Sequence, residues 1–166
     1  MMSYPNFGGN DKSIHHPDVR FIAKIAEQAG VDLRILVLQR HAKQILVSTT
    51  IHRHFGKLNH QAHVLADNAM VLHGQLSALD GSFFECVRTK SLGRARWDEV
   101  ASFLLPGYSS KATLSSDMFG VIRPGADTAD GMLDSPEDEA VVDLLETALA
   151  RVESVCDKPI RFPGSD

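Results

Sequence analysis

The chain has 166 residues, 43% hydrophobic and 23% charged, with a formal net charge of −4. That is one domain with enough chain for a real core. No apolar run approaches the ~20 residues that span a bilayer, and no positively charged, then apolar, leader pattern opens the sequence. Charge is uneven: residues 1–60 carry eight Lys/Arg and four Asp/Glu, residues 61–166 nine and seventeen. The basic half suits a small anion but is too mild for a nucleic-acid duplex, which needs basic residues clustered on one face.

Residues 1–16 read as loop. Gly8-Gly9-Asn10-Asp11-Lys12-Ser13 ends like a phosphate loop, but it lacks the glycine before Lys12 and no strand precedes it. His15 and His16 stand just before the first helix. Imidazole is the usual general base near neutral pH, which makes His16 a catalytic candidate. Helix-entry capping or plain exposure is the competing role.

A helix is predicted from Pro17 to Ala29. Proline suits the first helical position and Gly30 suits the stop. Val19, Ile22, Ile25, Ala26 and Ala29 share one face at helical spacing. A strand over 34–39 follows directly. Its core, Ile35-Leu36-Val37-Leu38, is the near-continuous apolar run of a strand covered on both faces. Arg40 then sits at the strand's carboxyl edge, where open α/β sheets bind ligands.

A second helix is predicted from about Ala42 to His54, with Gly56 as its stop. Gln44, Ser48 and His52 recur every four residues and share a face. The helix start directs free N–H groups and a positive dipole end toward Arg40. A guanidinium there can grip two phosphate oxygens, and the Ser48 hydroxyl can add a bond. The alternative is a surface arginine and a serine bonded back to its own helix.

A third helix covers about 60–79, with Ala62, Leu65, Ala69, Leu72, Leu76 and Leu79 as its apolar stripe. Residues 83–88 read as a second strand. A helix from about 94 to 105 turns Trp97, Val100, Ala101 and Leu104 inward, and 108–120 adds a short helical turn. Residues 121–135 form a Pro/Gly/Asp-rich linker. Ser135 then caps a C-terminal helix, 136–155, with Pro136 first and Glu137, Asp138 and Glu139 in its opening turn. Its apolar face is Val141, Leu144, Leu145, Ala148, Val152 and Val155. No internal repeat is visible.

Four histidines, His52, His54, His60 and His63, are crowded, yet their spacing lacks the neighbouring carboxylate or cysteine that completes a four-ligand set. No metal is expected. Two cysteines, Cys86 and Cys156, do not make a disulfide framework. They read as two buried thiols, with a single bridge in an oxidising lumen as the alternative.

At Arg40 and Ser48 the chain resembles the sulfotransferases that use the activated sulfate donor PAPS (3′-phosphoadenosine 5′-phosphosulfate). In that family an apolar strand ends in Arg, a Ser follows eight residues later in the next helix, and both hold the donor's 3′-phosphate. The likeness covers about 15–105. It includes residues 15–34, Ile51-His52-Arg53-His54-Phe55-Gly56, and the later helix–strand–helix with Trp97 before Phe103-Leu104-Leu105. The family usually has Asp-Pro or Asn-Pro after the Arg, where this chain has His41-Ala42. It has Glu-Asp-Leu after the later strand, where Thr89-Lys90-Ser91-Leu92 stands here. The Lys/Arg-rich glycine loop for the 5′-phosphosulfate is not found in residues 1–30.

The resemblance implies an α/β fold, a three-layer α/β/α sandwich around a parallel sheet of the P-loop nucleotide-binding kind. Only two strands can be named, so an incomplete sheet is expected. Residues 1–166 would be a single sulfotransferase-like domain, the C-terminal part of a fuller one. It implies sulfuryl transfer from PAPS to a hydroxyl or amine of a carbohydrate or small molecule. Arg40 and Ser48 would bind the donor and His16 would be the base. The alternative is a non-catalytic nucleotide-binding or interaction module of the same fold. Family members occur in both the cytosol and the Golgi lumen, so the resemblance selects no compartment.

Overall fold

The computed structural model describes residues 17–53, 57–88, 94–105, 133 and 135–156, with backbone alone for 50–53 and 94–97. Five α-helices and a two-stranded parallel sheet make up the described fold. Helix α1 is Val19–Gln28, strand β1 Ile35–Gln39, helix α2 Ala42–Arg53 and helix α3 Leu58–Ser77. A 3-10 turn, Gly81–Phe83, leads into strand β2, Phe84–Arg88. Helix α4 is Arg94–Leu104 and helix α5 is Pro136–Cys156. The chain is a mixed α/β protein, and among the described helices none is long and apolar enough to cross a membrane.

Helix α1 starts two residues later than Pro17 suggested. Asp18 is the cap, its carboxylate accepting from the Arg20 and Phe21 N–H groups. A side-chain acceptor satisfies orphan N–H groups that a leading proline cannot. The stop is as expected. Gly30 sits at φ 66°, Val31 N–H bonds Ala26 C=O and Gly30 N–H bonds Glu27 C=O, the pairing that closes a helix through a left-handed residue. The expected face is found in part, with Val19 and Ile22 half-buried and Ala29 exposed. Ala23 and Ala26 are buried, while Ile25 and Phe21 are exposed. Val19 N–H donates to Gln75 Oε1 on α3 at 3.2 Å, which ties the start of α1 to that helix.

Strands β1 and β2 pair in parallel, with Val37 opposite Cys86 and Gln39 opposite Arg88. Parallel strands need a long crossover, supplied here by α2 and α3. The expectation that both faces of β1 are covered holds for only one of them. Val37 is buried in the core, but Leu38, on the opposite face, is 61% exposed.

The main core gathers Val37, Leu46, Ala62, Ala66, Ala69, Leu76, Phe84, Leu145, Ala148, Val152 and Val155. It therefore lies between one sheet face and helices α2, α3 and α5. The predicted α3 stripe is there: Ala62, Ala69 and Leu76 are buried, and Leu65, Leu72 and Leu79 pack against them. So is the α5 face, with Val141 and Leu144 at its margin. Ser135 caps α5 as expected, accepting from Asp138 N–H at 3.1 Å.

Of the two readings of the cysteines, the single bridge is the one found. Cys86 and Cys156 form a disulfide, with Cα atoms 5.7 Å apart. Side chains alternate along a strand, so Phe84, Cys86 and Arg88 all face α5, whose last residue is Cys156. The helical turn predicted in 108–120, most of the 121–135 linker, the Trp97 side chain and the side chain of His52 lie outside the described residues.

Candidate functional site

The carboxyl edge of the sheet is formed where β1 ends at Gln39 and β2 ends at Arg88, in register. Arg40 follows β1 and is exposed. Among the described residues no carboxylate pairs with it. Ser48 is half-buried near the middle of α2. Arg40 precedes α2 and Ser48 lies inside it, and among the described residues no hydrogen bond joins their side chains. His16 lies outside the described residues.

The start of α2 shows what the sequence did not. His41 C=O accepts the first helical bond, from Ile45 N–H at 3.1 Å. The first N–H of the helix, that of Ala42, donates to Glu146 Oε1 of α5 at 2.9 Å. The same oxygen lies 4.0 Å from His41 Nδ1. The positive helix end that attracts an anion thus already holds a carboxylate. The His41-Ala42 pair explains the need. Histidine is a poor substitute for an Asp or Asn cap, and alanine, unlike proline, leaves a first N–H to be satisfied.

Seven residues on along α5, Glu153 Oε2 lies 3.4 Å from an Arg88 guanidinium nitrogen. Three further on, Cys156 bonds Cys86, and Gln39 Nε2 donates to its Sγ at 3.3 Å. A spacing of seven returns to nearly the same line of a helix. One line of α5 therefore lays two carboxylates along the basic edge of the sheet.

Glu146 and Glu153 were missed because helix α5 reads as a cap, a dipole-matched first turn and an apolar face. The seven-residue spacing of Glu139, Glu146 and Glu153 was the visible signal, but nothing local says which element such a line meets. Among the described residues no group of three His, Cys, Asp or Glu side chains could hold a metal ion. Comparison with family models, with curated proteins and with solved structures finds no match to this chain.

Proposed function

We propose that the chain carries the 3′-phosphate-binding half of a PAPS-dependent sulfotransferase-like protein. The observation that carries the reading is Arg40: a guanidinium exposed at the carboxyl edge of a parallel strand, without a carboxylate partner among the described residues. Such a group suits a dianionic phosphate, which it can hold through two parallel bonds. Ser48 would add a hydroxyl donor. His16 is the candidate base for a hydroxyl or amine of a carbohydrate or small molecule. In-line sulfuryl transfer depends on positioning and charge neutralisation, so donor binding is the first requirement. The finer fold, a three-layer sandwich of the P-loop nucleotide-binding kind, belongs to this reading.

A second reading has its own observation. Glu146 occupies the start of α2, and its charge opposes a phosphate there. Of the non-catalytic alternatives, a nucleotide-binding or an interaction module of the same fold, that favours the interaction module.

Calorimetric titration with 3′,5′-ADP, the desulfated donor, separates them. The donor reading expects roughly micromolar binding, weakened about tenfold or more in Arg40→Ala, as loss of charge-assisted bonds would produce. A folded wild-type chain that binds no 3′,5′-ADP rejects the donor site and leaves the interaction module.

A further inference from the structure

Strand β1 is the open side of the sheet. Among the described residues it pairs with β2 alone, so one row of its N–H and C=O groups has no ladder partner there. Leu38 and Val87 are register partners on the same face of the sheet, yet Val87 is 0% exposed and Leu38 is 61% exposed. That face is closed over β2 and open over β1. Edge strands are usually protected from pairing by a charge or a proline. Ile35-Leu36-Val37-Leu38-Gln39 carries neither, whereas β2 includes Glu85 and Arg88.

The charges that flank β1 complement a second copy of the same strand. Asp32 and Arg40 stand four residues either side of Leu36, and both are exposed. An acid before a strand and a base after it match themselves only when two copies run antiparallel, as a two-fold axis between them requires. With Leu36 opposite Leu36, Arg40 of each copy comes opposite Asp32 of the other. Within its own chain Asp32 takes both Arg34 bonds on Oδ2, which leaves Oδ1 for a second guanidinium. Opposed side chains share a face in antiparallel pairing, so the open leucines of the two copies lie together.

We propose that β1 is a self-association edge: two copies pair antiparallel through Ile35–Gln39 into one continuous sheet, with an Arg40–Asp32 ion pair at each end. Main-chain bonds supply the affinity and the charges fix the register. The contact is small beside a standard interface, so the dimer is reversible, with a Kd on the order of tens of micromolar. The pairing needs no nucleotide and goes beyond both readings of function. Arg40 engaged with Asp32 of the second copy is not open to a phosphate, so dimer and nucleotide compete for that side chain.

Sedimentation velocity on the full chain, over concentrations that bracket this Kd, is the test. Leu38→Lys puts an ammonium on the exposed edge and should weaken association about tenfold or more, with the far-UV circular dichroism unchanged. Arg40→Asp and Asp32→Arg should each weaken it by about five- to tenfold, since each sets like charges opposite one another twice per dimer. Mixed in equal amounts, these two variants should associate within about threefold of wild type, because every flanking charge then meets its opposite. A wild type that stays monomeric throughout would overturn the pairing. So would a dimer indifferent to Leu38→Lys, or charge variants that fail to associate on mixing. A monomeric wild type that binds 3′,5′-ADP would leave the donor site standing without the dimer.

Discussion

Glu146 on α5 accepts a hydrogen bond from the Ala42 backbone N–H at 2.9 Å, across 104 residues of chain. This contact fills the position where a phosphate would meet the start of α2. It makes α5 part of the candidate site rather than a remote support.

Glu146→Gln should therefore act in two directions. Weakening the cap should cost stability, about 0.5–1 kcal/mol, as for a charge removed from a helix start. Removing the negative charge should also strengthen binding of 3′,5′-ADP. Urea unfolding and calorimetry read the two effects, and weaker nucleotide binding in the variant would show that Glu146 does not compete with the ligand.

The disulfide closes a loop with a sequence separation of 70 residues. Loop-closure entropy for that length amounts to about 4 kcal/mol as an upper figure. Urea midpoints compared with and without a dithiol reductant should differ clearly in favour of the oxidised chain. Coincident midpoints would mean that the cross-link contributes nothing to stability.

The Asp18 carboxyl is held below its usual value of 3.8, first by the hydrogen bond from the Arg20 guanidinium, against some desolvation, and then by the Phe21 N–H. A group with a depressed folded-state pKa stabilises the fold above its unfolded value and loses that contribution as pH falls through the folded value. Wild type should thus melt above Asp18→Asn near neutral pH, with the gap closing below about pH 3.8. A gap independent of pH would show that the charge has no part in the cap.

Two buried amides on α3 should respond oppositely. Asn68 is 5% exposed and its Oδ1 has no hydrogen-bond partner among the described residues, whereas Gln75 Oε1 accepts from Val19 N–H. Asn68→Leu relieves an unpaired buried acceptor and is expected to be neutral or stabilising by up to ~1 kcal/mol. Gln75→Leu strands the Val19 N–H and should destabilise by about 1–3 kcal/mol. Chemical denaturation of the pair decides it, and similar losses in both would disprove the assignment of Asn68 as unsatisfied.

What was legible in the sequence is local. The stripes of α3 and α5, the Ser135 cap, the Gly30 stop, and Arg40 at the end of an apolar strand all follow from periodicity and end chemistry, which act over a few residues. The misreadings share one cause. Helix α1 turned Ile25 outward, and β1 left Leu38 open although its run looks covered on both sides, because a pattern cannot say how many neighbours an element finds.

The sequence by itself determined the types of the described elements, the core-facing stripes of α3 and α5, and the place of Arg40 after an apolar strand, since backbone propensity and hydrophobic spacing are short-range. Only the tertiary structure decided that Cys86 bonds Cys156, that Glu146 caps α2 and that Glu153 meets Arg88. Those pairings join groups far apart in the chain. They depend on how α5 lies across the sheet, which the packing of α5 against α3 and the sheet sets and no local pattern encodes.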